Sequence, residues 1–493
     1  MTRPTLAETK ELAATGLYKT IPVSSELYSD SSTPITVLRK LQNVSRHCYM
    51  LESAQSSKKW GRYTFLGFDP KLELTCTNGR LTLRGDTTVT METGHPGAII
   101  RQVLNQHRSP RLDYLPSFTG GLVGYFSYDY IKYAEPTLKL DAADEEGFQD
   151  VDLMLFDKVI VFDNFRQKII LIVNMQCGDE AEIAAEYRRA GAELKTLADL
   201  IVNGAEKKEA PGRILSPIRA LFDEKSYCEM VARAKEYIRE GDIFQVVLSN
   251  RLDADYEGSL LNAYRVLRTT NPSPYMFYFS SDDIEIAGAS PETLVKLENG
   301  VLHTFPLAGT RPRGETPEED STLEAELLAD EKECAEHNML VDLGRNDLGK
   351  ISGFGSVAVE QYMSVERFSH VMHIGSTVRG TIRPDKDAVD AVDAVLPAGT
   401  LSGAPKIRAC EIINKLENNK RGIYGGAIGY LDFTGNLDTC IAIRIAYKKN
   451  GKVFVRSGGG IVADSVPQSE YQECVNKAKA VVRALESAQE ELR

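Results

Sequence analysis

The sequence predicts an α+β protein with many short strands and long helices between and beside them. Short β-rich runs bounded by turn residues recur along the chain, and long alanine- and leucine-rich stretches lie between some of them without a regular strand–helix period. That irregularity argues against a doubly wound parallel sheet. With 493 residues, 42% of them hydrophobic, the chain can bury a large core in one extended domain or two.

In chain order, residues 62–67 and 71–75 read as strands, and 157–163 followed by 168–173 reads as a hairpin around Asn164. Residues 180–202 have the composition of a helix. The polar stretch 203–212, closed by Pro211-Gly212, is the linker candidate, which divides the chain near residue 220 into segments 1–220 and 221–493. Beyond it, 223–241 reads as an amphipathic helix feeding a strand at 244–250. Residues 322–343 read as one helix, 439–446 as one strand, and about 468 onward as a last helix. Two glycine-rich turns complete the pattern: Ser457-Gly458-Gly459-Gly460-Ile461 follows a strand, and Gly399-Thr400-Leu401-Ser402-Gly403-Ala404-Pro405-Lys406 opens a helix with Pro405 in its first turn. Gly120-Gly121-Leu122-Val123-Gly124-Tyr125 and Gly425-Gly426-Ala427-Ile428-Gly429-Tyr430 echo each other, and read as two ordinary glycine-punctuated strands rather than a duplication.

A formal charge of -12 argues against a nucleic-acid partner. The apolar run 169–173 falls far short of the roughly 20 residues that span a bilayer, and residues 1–16 carry no secretory apolar core, so the expectation is a soluble cytoplasmic protein without membrane contact. The eight cysteines show no CxxC pairs, and none sits in a Gly-x-Cys-x-Gly turn that would expose a glutaminase nucleophile.

Glu333 and Glu336 lie three apart, as do Glu470 and Glu473, so each pair shares a helix face. Two such faces across a cleft would suit a hard divalent cation, although from spacing alone solvated acidic faces are the simpler reading. Lys477 stands four residues after Glu473, the spacing of a salt bridge. Arg444 among apolar residues either turns outward or meets an anion. Taken alone, Glu292 reads as a turn glutamate, Tyr424 as packing, and His373 as a hydrogen-bonded core histidine.

The stretch Phe305-Pro306-Leu307-Ala308-Gly309-Thr310-Arg311 resembles the substrate loop of the chorismate-utilising enzymes. Lys332-Glu333-Cys334-Ala335-Glu336-His337 and Ser469-Glu470-Tyr471-Gln472-Glu473-Cys474 resemble that family's two metal-helix blocks, and the match in order runs from Gln245 to Lys477. The resemblance implies large antiparallel sheets packed as a sandwich with helices outside. It implies Mg²⁺ bound directly by Glu336 and Glu473, with Glu333 and Glu470 acting through water. It assigns Glu292 to protonation of the departing C4 hydroxyl and His373 to loss of the pyruvate side chain. Gly309, Thr310, Thr400, Tyr424, Arg444, Gly458, Gly460 and Lys477 become chorismate contacts.

Within the family, Ala308 and Gln245 favour the anthranilate synthase large subunits, which add external ammonia. A lysine at position 308 would suggest a covalent amine nucleophile, as in the aminodeoxychorismate synthases, and a lysine at 245 would activate water, which an amide cannot do. The absent glutaminase motif then implies a separate glutamine amidotransferase subunit as the ammonia source. Met50-Leu51-Glu52-Ser53 and Asn271-Pro272-Ser273-Pro274-Tyr275-Met276 resemble the two walls of a tryptophan-inhibitor pocket, giving Glu52, Ser53, Pro274, Tyr275 and Met276 as its contacts. By this resemblance 1–220 is a regulatory domain contributing to that pocket and 221–493 the catalytic domain. A silent amino-acid sensor is the rival from another class, and it predicts decay among the catalytic carboxylates and cations. Those residues are all present.

Overall fold

In the computed structural model, which describes residues 2–53, 61–367 and 371–489, the strands gather into two large antiparallel sheets. The first runs in the order Thr20–Tyr28, Lys168–Gln176, Lys158–Asp163, Tyr63–Phe68, Cys48–Glu52, Tyr275–Ser280, Glu285–Ser290, Ile445–Lys449, Lys452–Ile461, Gln245–Glu257. The second runs Leu307–Pro312, Val371–Thr381, Val301–Thr304, Thr293–Glu298, Leu437–Ile441, Ala427–Asp432, Gly121–Phe126, Val151–Phe156, Leu72–Thr77, Arg80–Arg84, Thr88–Glu92.

Strand alternation divides the core into layers. Tyr49, Phe65 and Phe277 of the first sheet meet Tyr125, Met154, Phe156 and Ile428 of the second in a buried layer between them. Cys48 and Met50, the neighbours of Tyr49, face the other way into a core shared with the helices Pro34–Gln42, Glu180–Asn203, Leu261–Thr270 and Pro467–Ser487. Pro96–Asn105 and Ala388–Val395 cover the outer face of the second sheet. The α+β class is as the sequence predicts, and the sandwich with helices outside is as the resemblance implies. Among the described residues no helix is long and apolar enough to cross a membrane.

The two glycine segments that echo in sequence lie side by side at the centre of the second sheet, with Gly429 opposite Gly124. They are matching members of a repeated topology. Strand, helix and two strands of the first sheet, then two of the second, occur in the same order from Thr20 and again from Gln245. Each run later returns through two strands of the second sheet and two of the first to a long helix. The reading of the echo as unrelated strands missed this, because only the glycines needed for close strand contact survive as a visible signal. In the first sheet the halves join where Glu52 pairs with Met276. The division near residue 220 therefore separates two stretches of sequence that share both sheets.

Four local expectations differ from the structure. The helix expected over 322–343 is two, Pro317–Ala329 and Glu331–Gly349. They break at Asp330, whose carboxylate accepts from the backbone N–H of Lys332 and Glu333 and so caps the second helix. The strand expected over 439–446 ends at Ile441, and a new one starts at Ile445 in the other sheet. The run Ser457 to Ile461 continues a strand, with Gly458, Gly459 and Gly460 opposite Ser249, Leu248 and Val247. Pro405 stands as the cap of the helix Lys406–Glu417 rather than within its first turn.

Candidate active site

The central site forms where the chain changes sheet. Glu285–Ser290 belongs to the first sheet and Thr293–Glu298 to the second, so Pro291 and Glu292 make the crossing. Leu437–Ile441 and Ile445–Lys449 cross back through 442–444. The crossings are tied together, since Ile441 N–H donates to Glu292 O at 3.0 Å and Ala289 N–H to Arg444 O at 3.2 Å. Arg444 is in the left-handed region at φ 52°. That conformation is uncommon for a residue with a Cβ and takes Arg444 out of the ladder.

Thr400, in the turn Gly399–Leu401, donates its hydroxyl to Glu292 Oε1 at 3.1 Å. Burial pushes the Glu292 carboxyl up to about 8, against the opposing influence of Thr400, Arg444 and Lys477. Desolvation outweighs two nearby cations here. At neutral pH Glu292 is therefore mainly a neutral acid. Burial lowers the guanidinium of Arg444, with the charge of Glu292 acting the other way.

His373 lies on the strand Val371–Thr381, with Nδ1 2.7 Å from Gly309 O and 3.2 Å from Thr310 Oγ1. A carbonyl only accepts, so Nδ1 carries the proton and Nε2 is left as the basic nitrogen. Burial lowers the His373 pKa, and Arg444 and Lys477 lower it further. Gly309 has φ +66°, and a Cβ there would come 3.3 Å from Glu333 Oε2 and 3.0 Å from Leu327. Glycine thus lets the strand Leu307–Pro312 lie against the helix that carries Glu333.

The two acidic helices bring their carboxylates to the glycine strand. A Cβ on Gly459 would lie 3.3 Å from Glu470 Oε2 and 3.8 Å from Glu473 Oε1. A Cβ on Gly460 would collide with Gln245 Nε2 at 2.3 Å. That amide instead donates to Glu336 Oε1 at 3.1 Å. Burial and then the Glu336 charge raise the Glu333 carboxyl, while burial and the Glu473 charge raise Glu470 against Ser465, Lys477 and Lys332. Like charges therefore face one another within each pair. Among the described residues no three His, Cys, Asp or Glu side chains are placed to hold a metal ion together. An ion that keeps several waters and uses one or two carboxylates fits such a donor set, whereas a closed protein cage does not. Lys477 makes the ion pair its spacing predicts, 2.7 Å to Glu473 Oε1, and also donates to Gly458 O at 3.1 Å. Tyr424 is buried, 3% exposed.

The expected inhibitor residues come together elsewhere. Glu52, Ser53, Pro274, Tyr275 and Met276 all line a cavity of about 1040 Å³. The cavity continues to Pro291, Thr293 and Gly375. The Glu52 carboxylate is not free, since Tyr264 and Arg268 both donate to it, Arg268 Nη2 at 2.9 Å. The Tyr275 hydroxyl donates to Asp438 Oδ1 at 2.7 Å and lies 3.0 Å from Thr293 Oγ1, one residue from Glu292.

Residues 27–483 match the family model for chorismate binding enzymes. The chain is 47% identical to anthranilate synthase component 1 of Acetivibrio thermocellus over 99% of each chain, and 45% identical to that of Pseudomonas aeruginosa over 97% of this chain and 98% of the other. The chain belongs to the chorismate-binding enzyme family, in its anthranilate synthase component 1 branch. The crystal structure of anthranilate synthase component I from Streptococcus pneumoniae superposes with a TM-score of 0.74 at 39% identity, over 87% of this chain and 93% of that one. The menaquinone-specific isochorismate synthase of Escherichia coli shares the fold, with a TM-score of 0.68 at 18% identity over 97% of this chain and 99% of the other.

One group near the site escaped the sequence reading. Glu417, Arg421 and Arg456 are buried together beneath the glycine strand and the Thr400 turn. Arg456 could have been noticed as Arg444 was, as a lone arginine in an apolar strand. Arg421 gives no such signal, because it sits in the polar run Asn418-Asn419-Lys420-Arg421.

Proposed function

We propose that this chain is the aminase subunit of an anthranilate synthase, a carbon–oxygen lyase that converts chorismate and ammonia to anthranilate and pyruvate. The observation that carries the reading is Glu292, a partly buried acid held neutral near pH 7 beside two cations. Protonating the C4 hydroxyl as it leaves requires such a group. Ammonia adds at C2 as Glu292 gives its proton to the departing hydroxyl, which leaves as water. His373, neutral and with Nε2 free of its proton, is suited to accept the C2 proton as the pyruvate unit is eliminated and the ring becomes aromatic. Arg444, with its planar fork, and Lys477 would meet the carboxylates of a dianionic substrate, and Gly309, Thr310, Gly458, Gly460 and Tyr424 would form the rest of the contact surface.

Ammonia as the nucleophile is supported by Ala308, whose methyl group cannot attack, and by Gln245. Among the described residues the buried Gln245 Oε1 has no hydrogen-bond partner, and an amide oxygen suits an N–H donor. Glu336 and Glu473 would hold Mg²⁺, with Glu333 and Glu470 acting through water. When bound it supplies positive charge against the ring carboxylate. L-tryptophan would occupy the cavity between the halves, its ammonium meeting Glu52 and Ser53 and its indole the Pro274-Tyr275-Met276 wall.

The test is an assay of the chain free of any partner, with chorismate, Mg²⁺ and either an ammonium salt or glutamine. The expected outcome is anthranilate from ammonium alone, with glutamine used only after a glutamine amidotransferase subunit is added. Turnover on glutamine without that subunit would contradict the partner assignment, and a product other than anthranilate would contradict the reaction.

A further inference from the structure

Arg421 and Arg456 are each 1% exposed and share one carboxylate, Glu417, itself 3% exposed. Arg456 Nη2 lies 2.8 Å from Glu417 Oε2, and Arg421 Nε donates to the same oxygen at 2.9 Å. Two guanidinium groups against one carboxylate leave an excess positive charge inside the protein. Such burial is costly unless every donor is used. Here Arg421 also donates to backbone that carries the site, while Arg456 Nη1 donates to Asn419 Oδ1 at 2.9 Å and to Lys420 O at 3.2 Å. Arg421 Nη1 donates to Leu401 O at 2.6 Å and Nη2 to Val247 O at 2.8 Å, and the guanidinium stands 4.5 Å from the centre of the Tyr128 ring. Arg456 Nε donates to Ser249 Oγ at 2.8 Å, and Glu417 accepts from Ser249 N–H at 2.8 Å.

Leu401 is the residue after Thr400, and Val247 lies opposite Gly460. One side chain thus ties the turn that presents a hydroxyl to Glu292 to the strand that begins at Gln245. We infer that Arg421, locked by Glu417 and Arg456, is a positioning residue for the reaction that fixes the Thr400 turn and so holds the Thr400 hydroxyl on Glu292. This rests on the reading of Glu292 as the proton donor. The groups facing Glu292 are Thr400, Arg444 and Lys477, and of these only Thr400 is joined to the cluster by adjacent backbone.

The cluster also bears on the Tyr424 phenol. Burial raises its pKa, Arg421 and Arg456 oppose the rise, and Glu417 adds to it. The arginines therefore supply a fixed positive field from beneath a surface that receives a dianion.

Arg421→Lys keeps the charge and loses the fork. Steady-state kinetics with chorismate, Mg²⁺ and an ammonium salt, from neutral to alkaline pH, should show kcat lowered about tenfold, the loss of one hydrogen bond to a charged group. KM for chorismate should stay nearly unchanged. The alkaline limb of the kcat profile should move up by about one unit, because Thr400 stabilises the ionised form of Glu292. Thr400→Val should produce the same movement, and the double variant should move the limb no further than either single one. Additive movements, or a fixed limb in Arg421→Lys when Thr400→Val moves it, would overturn the positioning role. A fixed limb in Thr400→Val would overturn the Glu292 reading and this inference with it. Should Arg421→Lys not fold, Glu417→Gln, which keeps the shape, enters the same cycle with the same deciding outcomes.

Discussion

In the first half the chain changes sheet at 69–71 and returns at Asp157, and there its charges are matched. Lys158 Nζ lies 3.2 Å from Asp69 Oδ2 and 3.4 Å from Glu193 Oε1, and Lys71 Nζ is 3.7 Å from Asp157 Oδ2. In the second half the corresponding crossings carry Glu292 and Arg444, and neither forms an ion pair with a described residue. Each half places one non-glycine residue in the left-handed region at a crossing, Asp69 at φ 53° and Arg444 at φ 52°. The backbone device is shared. What distinguishes the candidate active site is that its acid stays neutral and its cation unspent, so that both are available to a ligand. Sheet crossings are suited to this, because side chains there are released from strict alternation while the ladders on either side hold them still.

The largest effect that would test this contrast lies at the acidic helices. Glu336→Gln and Glu473→Gln each remove a charge from an oxygen-donor set while nearly keeping its shape. We expect turnover to be lost, a larger drop than the about 10–100-fold typical of supporting groups around a metal, with the fold intact by circular dichroism. Titrating Mg²⁺ against activity and by calorimetry checks this. Normal turnover with unchanged Mg²⁺ dependence in both variants would remove these residues from the metal assignment.

Next comes the acid itself. Glu292→Gln should lower kcat by about 10²–10⁴-fold, the range for a lost general acid. In the parent protein kcat at saturating free ammonia should fall as pH rises through about 8, where Glu292 loses its proton. The sign for stability follows from the same shift. The folded value lies above the ordinary 4.5, so folding is not penalised at low pH, and the penalty accumulates between 4.5 and about 8 as the unfolded chain releases a proton that the folded one retains. Glu292→Gln should therefore unfold at a higher temperature than the parent at alkaline pH, with the gap closing toward pH 4.5. Equal melting temperatures for the two proteins at alkaline pH would mean that burial does not dominate at this carboxyl.

A smaller effect is expected at the cavity, where the two halves meet on either side of the Glu52 and Met276 pairing. Ser53→Phe should fill the space between them and relieve inhibition by L-tryptophan while keeping ammonia-dependent activity. A ligand that inhibits from here must bind the less active arrangement more tightly, since equal affinity would shift nothing. Calorimetry with tryptophan, paired with inhibition kinetics, decides the matter. Undiminished binding and inhibition in the variant would make the pocket assignment wrong.

The sequence made the strands and the terminal helix legible through composition and period, and the carboxylate pairs through three-residue spacing. It did not reveal what depends on contacts between distant segments. Arg444 looked like a strand residue because its apolar neighbours continue smoothly on both sides, and nothing local marks a change of sheet. The helix break at Asp330 was hidden because aspartate is common on helix surfaces and acts as a cap only where the backbone turns. The glycine run at 458–460 read as a turn, because nothing local shows that it continues a strand against which carboxylates and an amide of other segments pack. The resemblance supplied the site residues that local reasoning left as packing or surface. The Glu417, Arg421 and Arg456 cluster lay beyond both, because its meaning comes from which carbonyls the guanidinium groups reach.

The smallest expected effect on activity lies at the first-half crossings. If those charges serve only to close the repeated topology, Lys158→Met should leave kcat and KM for chorismate within about twofold, since substitutions far from a site act independently of it. It should cost stability instead. Lys158 is 8% exposed and faces Asp69 and Glu193, and its removal also leaves the buried Asp157 with less compensating charge. Asp69 is itself largely exposed, so the loss should fall below the 3–5 kcal/mol seen for fully buried pairs, at about 1–3 kcal/mol. Adding Asp157→Asn should recover part of that loss, because the carboxyl left without its cation would then be neutral. Denaturant unfolding beside ammonia-dependent kinetics gives both readouts. A tenfold fall in kcat with stability unchanged would mean that the first-half crossings take part in turnover, and the contrast between the halves would fail.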